Sequence, residues 1–111
     1  MTKVAVDLLE IRSLGKSLTR TPHLFEQLFH VSERNYSIQT LSASLCAKEC
    51  LIKVGVLSSF KQFSRVQFLH ERSGAPYLMS SEIELKSKLG KVSVSISHTQ
   101  LTCVCVLIFN I

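Results

Sequence analysis

Val92-Ser93-Val94-Ser95-Ile96-Ser97-His98, then Thr99-Gln100-Leu101, then Thr102-Cys103-Val104-Cys105-Val106-Leu107-Ile108-Phe109 is the stretch that decides the fold. In its first part the apolar residues Val92, Val94 and Ile96 alternate with Ser93, Ser95 and Ser97. That is the period of a strand with one greasy and one hydroxyl face. The second part is a longer apolar strand, and so short a link between the two favours an antiparallel hairpin.

Working back from the hairpin, Ser81 and Glu84 have the spacing of a capping box for a helix ending near Leu89-Gly90. Val66 to Glu71 and Tyr77 to Met79 read as strands around the turn Arg72-Ser73-Gly74-Ala75-Pro76, and Ser58 to Ser64 is the least regular segment. The strongest helix runs from about Leu41 to Val54: Leu41, Leu45, Lys48 and Ile52 recur at helical spacing, Leu51 widens the face, and Gly55 is a stop. Ser37 to Thr40 reads as a connection, Ser32 as the cap of a short turn with Glu33, and Thr21-Pro22 as the start of a short helix through Phe29. Val4 to Leu9 is a short strand leading into a helix from Leu9 to about Leu18. The expected fold is α+β, an antiparallel sheet packed against one long helix, in a single domain over residues 1–111.

Composition sets the frame for function. A chain of 111 residues with 46% hydrophobic and 19% charged residues can bury a real core, and 4 Gly with 2 Pro leave little room for long disordered stretches. The net charge of +5 points to an anionic ligand or partner. The basic residues are scattered and no aromatic RNA-binding strand motif is present, so a nucleic-acid-binding module would rest on charge alone. Cys46, Cys50, Cys103 and Cys105 suit small buried hydrophobes, and their spacings miss the usual zinc patterns. Lys3, Asp7, Glu10 and Arg12 interrupt the N-terminus, and Val104 to Phe109 is too short to span a bilayer. A cytoplasmic protein without membrane or nucleic-acid partners is expected.

Three polar features carry possible chemistry. Asp7 breaks a hydrophobic strand, where an unpaired charge is costly. Glu49 and Lys53 lie one turn apart on the long helix. Ser95-Ile96-Ser97-His98-Thr99 ends a strand in hydroxyls and an imidazole. Each also has an ordinary reading: Asp7 as a helix cap, Glu49 and Lys53 as an i,i+4 ion pair worth ~0.2–0.5 kcal/mol, His98 as a turn residue. Periodicity alone does not make the three converge.

The order of these features resembles the holo-acyl-carrier-protein synthases. Asp7-Leu8-Leu9-Glu10-Ile11 is similar to their D-[IL]-x-E-I start, and Ala47-Lys48-Glu49-Cys50-Leu51-Ile52-Lys53 to their A-K-E-A-x-x-K helix. Ser73-Gly74-Ala75-Pro76-Tyr77 resembles their G-x-P-Y turn, and Val94-Ser95-Ile96-Ser97-His98-Thr99 their V-S-[IL]-[ST]-H-[ST] strand. The resemblance implies a 4'-phosphopantetheinyl transferase that moves the phosphopantetheine arm of coenzyme A onto a serine of an acidic acyl carrier protein and releases 3',5'-ADP. It implies Asp7 and Glu49 as ligands of Mg2+, Glu49 as proton acceptor and Lys53 on the phosphates. Lys48, His98 and Thr99 would add phosphate contacts. Gly74, Pro76 and Tyr77 would line the adenine pocket. Arg12, Lys16 and Arg20 would form the basic edge for carrier-protein docking. A homotrimer with active sites between subunits is implied too, with Cys103, Cys105 and Ile108 as candidates for sheet residues covered by neighbouring copies.

The chain departs from the family pattern in places. Ser44 and Leu45 stand where an arginine and an aromatic are usual, Ser13 stands where the first-helix arginine lies, and Val54-Gly55-Val56-Leu57-Ser58-Ser59 keeps one glycine of a G-T-G loop. These differences define the alternative, a non-catalytic homologue that binds coenzyme A or a carrier protein.

Overall fold

A computed structural model describes residues 1–111. The elements run β1 (Thr2–Glu10), α1 (Ile11–Arg20), α2 (Leu24–Leu28), a 3-10 turn (Val31–Glu33) and α3 (Ile38–Lys53). A second 3-10 turn (Phe60–Arg65), β2 (Gln67–His70), β3 (Pro76–Met79), α4 (Ile83–Leu89), β4 (Val92–His98) and β5 (Thr102–Asn110) follow. The α+β arrangement expected from the sequence is the one observed.

The 92–109 stretch forms the antiparallel hairpin read from its pattern, but β5 does more than pair with β4. It is the central strand of a sheet ordered β1-β5-β4, while β2 and β3 form a separate hairpin. β1 pairs with β5 along its whole length, from Thr2 opposite Asn110 to Glu10 opposite Thr102. One face of this sheet packs on α3. Cys103, Cys105, Leu107 and Phe109 of β5 and Ala5 of β1 are buried there.

The four thiols belong to that interface. Cys46 and Cys50 are one helical turn apart, ~6 Å, and Cys103 and Cys105 are two strand residues apart, ~6.7 Å, so the two spacings nearly match. The Cys46 thiol lies 3.6 Å from the Cys103 carbonyl and the Cys50 thiol 3.8 Å from that of Cys105. Burial pushes the Cys46 and Cys103 thiols up from their ordinary pKa values, which suits packing rather than reactivity. Cys103 and Cys105 therefore do not face outward, as the trimer expectation had them; the two-residue period of β5 turns them toward α3 instead. The open face carries Ile108, Val106 and Val104, directly opposite Val4, Val6 and Leu8 of β1.

α3 is buried on nearly every side, because α1, the 60–65 turn and the β2–β3 hairpin pack around what the sheet leaves uncovered. Fully buried Leu51, Phe63, Phe68 and Leu107 each contribute roughly 1.5–3 kcal/mol of burial. The helix begins one turn earlier than its apolar periodicity suggests: Ser37, read as part of a connection, is its N-cap and accepts the Thr40 N–H at 3.2 Å. It ends at Lys53 with Val54 as C-cap, and Gly55 follows at φ +84°, the left-handed conformation glycine adopts without strain.

Three local expectations differ in detail. The short turn is capped not by Ser32 but by the His30 side chain, which accepts the Ser32 N–H at 3.0 Å, while the Glu33 carboxylate accepts the His30 N–H at 2.8 Å. Pro22 sits in a turn before α2, where the Thr21 carbonyl accepts the Leu24 N–H at 2.9 Å. The Ser81–Glu84 box does not form; Ser80 takes its place, its hydroxyl accepting the Glu82 N–H at 3.2 Å. In the first and third cases a neighbouring side chain supplies the acceptor, and in the second the backbone does.

Candidate active site

Asp7 and Lys53 meet across the join of sheet and helix. Asp7 occurs in mid-strand on the side of β1 that faces α3, because alternation puts it with buried Ala5 and half-buried Leu9. Lys53 is the last residue of α3. Its ammonium donates to Asp7 Oδ1 at 3.2 Å and to the Val6 carbonyl at 2.7 Å. Asp7 is therefore not a cap for α1, whose N-cap is Glu10.

Glu49, one turn before Lys53, shares this environment. Burial raises its pKa above the ordinary carboxylate value, the charge of Asp7 raises it further, and Lys53 opposes both. Two carboxylates that repel one another at a half-buried site form a hard oxygen donor set. That donor chemistry fits a divalent cation such as Mg2+, which needs few protein carboxylates when phosphate oxygens supply other ligands.

Lys48 has a different place. Its ammonium lies 2.6 Å from Glu33 Oε1 and 3.1 Å from the Leu28 carbonyl, and 5.4 Å from the centre of the Phe29 ring. The other Glu33 oxygen accepts the Ser44 hydroxyl. Both Lys48 and Glu33 are 0% exposed. Lys48 cannot contact a phosphate from this position, so its assignment as a phosphate ligand is corrected: its side chain turns inward to the end of α2 and the 31–33 turn. Burial lowers the Lys48 pKa, and the Glu33 charge opposes the shift. The sequence reading missed Glu33 as its partner, although the H-x-x-E spacing of a cap with a carboxylate three residues on was a visible signal.

A second cluster lies elsewhere on the protomer. A groove of about 230 Å³ is bordered by Gly74, Pro76, His98, His70, Thr40 and Gln39. Gly74 adopts φ +94° in the turn between β2 and β3. Tyr77 is on the opposite face of β3 from buried Leu78 and does not line this groove. The Thr99 oxygen accepts the Leu101 and Thr102 N–H groups, both at 3.1 Å, and so serves the β4–β5 turn. Asp7 and Ile96 flank Cys105 from opposite sides. The backbones of Asp7 and Ile96 are thus about two strand spacings apart, ~9.5 Å, and the groove is not lined by Asp7, Glu49 or Lys53.

Arg12, Lys16 and Arg20 recur every fourth residue on α1, all exposed. They border a broad groove whose apolar wall includes Ile38 and Leu101. The Ile11 N–H donates to the Leu101 carbonyl at 3.0 Å, tying the start of α1 to the β4–β5 turn.

Comparison with known proteins bears on the family resemblance and the fold. No profile of a known family matches the chain. A holo-acyl-carrier-protein synthase of Leifsonia xyli is 29% identical over 99 residues, which cover 86% of this chain and 84% of that protein. The apo-ACPS structure of Chronobacterium ammoiniagenes superposes with a TM-score of 0.74 at 25% identity, over 100% of this chain and 99% of the other. This chain is similar to the holo-acyl-carrier-protein synthases. The synthase of Helicobacter pylori, solved in complex with coenzyme A, has the same fold at 19% identity, with a TM-score of 0.76 over 97% of this chain and 100% of that one. Holo-acyl-carrier-protein synthases thus match this chain over most of its length in sequence and over nearly all of it in fold. No helix is long and apolar enough to cross a membrane.

Proposed function

We propose that the chain is a holo-acyl-carrier-protein synthase that transfers 4'-phosphopantetheine from coenzyme A to a serine of an apo acyl carrier protein. The observation that carries this reading is the contact of Lys53 with Asp7, one helical turn from Glu49, in a protein with this fold and these similarities. The serine oxygen forms a bond to the β-phosphorus of coenzyme A as the bridging P–O bond breaks, and 3',5'-ADP leaves. Glu49, directly or through water, takes the serine proton. Lys53 supplies positive charge to the phosphate oxygens, where negative charge spreads in the transition state. Asp7 and Glu49 would hold Mg2+, which when bound supplies further charge stabilisation at the pyrophosphate.

Gly74, Pro76 and His98 are candidates for the adenosine end of coenzyme A. We infer active sites between neighbouring copies, an idea the open sheet face supports: Val4, Val6 and Leu8 are largely exposed opposite Ile108, Val106 and Val104. A closed homotrimer would cover it. Arg12, Lys16 and Arg20, beside an apolar wall, suit an acidic amphipathic partner segment and thus the carrier protein. A cytoplasmic setting completes the proposal.

Incubation with coenzyme A, Mg2+ and an apo carrier protein, followed by intact mass, tests it. Addition of one phosphopantetheine group is the expected result. An unchanged carrier at high enzyme concentration would instead favour a non-catalytic homologue. The 54–59 loop, held inward by buried Val54, Val56 and Leu57, is the feature that such an outcome would implicate.

A further inference from the structure

We propose that Lys53 competes with the divalent cation for Asp7, so that cation and phosphate binding are coupled through a single ammonium group. The inference rests on the site reading above and extends it. Lys53 Nζ spends two of its three donors inside the protein, on Asp7 Oδ1 at 3.2 Å and on the Val6 carbonyl at 2.7 Å. Both contacts lie on the strand that carries the carboxylate and hold the ammonium where a metal ion would approach it. The Lys53 side chain is still 50% exposed and that of Asp7 19%. The pair can therefore open without unpacking the core.

A cation arriving at Asp7 and Glu49 meets this resident charge. It must displace the ammonium or bind beside it against repulsion. A displaced Lys53 has donors only, and its four-carbon stem can carry them to an anion. Phosphate oxygens of the substrate are the anions at hand. Cation and phosphate thus each favour the other: the cation frees Lys53 for phosphate, and phosphate draws Lys53 off Asp7. By linkage this coupling is reciprocal.

The test reads metal binding rather than turnover. Mn2+ binding to the full chain is followed by electron paramagnetic resonance of the free ion, without and with coenzyme A. Lys53→Met keeps the side chain's length and removes its charge. It should bind Mn2+ alone about fivefold or more tightly than the wild type, a typical size for coupling between sites. Coenzyme A should then tighten Mn2+ binding less in the variant than in the wild type. Lys3→Met removes an equal charge from the same face of β1, beside Gly55 and four residues from Asp7. At 0.15 M salt, with a screening length of ~8 Å, it should change Mn2+ affinity much less. The proposal fails if Lys53→Met binds Mn2+ no more tightly than wild type, if Lys3→Met gives an equal gain, or if neither protein binds the ion. A carrier protein left unmodified by the wild type would overturn the transferase reading alone, since the Mn2+-only comparison needs no turnover.

Discussion

Lys48 and Glu33 form an ion pair sealed from water, Nζ to Oε1 at 2.6 Å with neither side chain exposed. It joins α3 to the segment that leads in from α2, and every buried polar side-chain atom in it has a partner. Removing one member of such a pair strands the other charge. Lys48→Met should therefore lower stability by about 3–5 kcal/mol. Adding Glu33→Gln should recover a substantial part. Urea titrations of the single and double variants measure both, and equal losses would show that the charge is not what matters.

Glu49→Gln separates function from folding. Turnover at saturating carrier protein should fall by ~10²–10⁴-fold, the usual worth of a proton acceptor, with loss of cation binding adding to it. Stability should move the other way. A raised carboxylate pKa in the folded state gives stability that is present below the unfolded value and lost as pH rises through the folded one. At neutral pH the charged Glu49 is thus a burden, and the variant should melt no lower than wild type. Melting curves at pH 7 and pH 4 should show the variant's relative advantage only at the higher pH.

Burial and the Asp7 charge also set how the metal-free protein titrates. There the Glu49 carboxyl should lose its proton at a higher pH than an unperturbed glutamate, and a bound cation should bring that pH back down. Carboxyl NMR with and without Mg2+ measures both, and no response to the ion would remove Glu49 from the ligand set.

Arg12→Ala addresses docking. Its guanidinium is exposed on α1, away from Asp7 and Glu49. Turnover at saturation should stay near wild type while the carrier concentration needed rises severalfold, because a surface charge chiefly steers and orients an acidic partner. The defect should shrink as salt is raised, with screening over ~10 Å at 0.1 M.

Val106→Glu probes the open sheet face. Val106 is 40% exposed in the protomer and lies directly opposite Val6, so a carboxylate there is tolerated by the single chain. In an assembly that covers the face it would be buried unpaired. Sedimentation at micromolar concentration should show a folded monomer, against a trimer for the wild type.

The strands and the long helix were readable because each advertises its own period: alternation in Val92–His98, four-residue recurrence in Leu41–Ile52. Asp7, Glu49 and Lys53 could be nominated from motif order, but not joined, since Lys53 reaches Asp7 through a pairing of β1 with β5 across almost the whole chain. Lys48 shows the limit most clearly. A lysine on an apolar stripe can be a ligand-facing charge or a buried one, and the choice depended on Glu33, fifteen residues earlier and on another element. The outward assignment of Cys103 and Cys105 erred for a similar reason: a strand's period gives two faces, and only packing says which one meets the helix.

The position of β5 also bears on how the protein is born. Both neighbours of the sheet's central strand, β1 and β4, precede it in the chain. During synthesis β1 leaves the ribosome first among the strands, with Val4, Val6 and Leu8 on one side and Ala5 and Leu9 on the other, and its partner arrives last. Until then α3 has no sheet to pack on. The sheet therefore cannot be assembled strand by strand as the chain emerges; it closes only when β5 follows, and until then the nascent chain must keep an apolar strand from other partners.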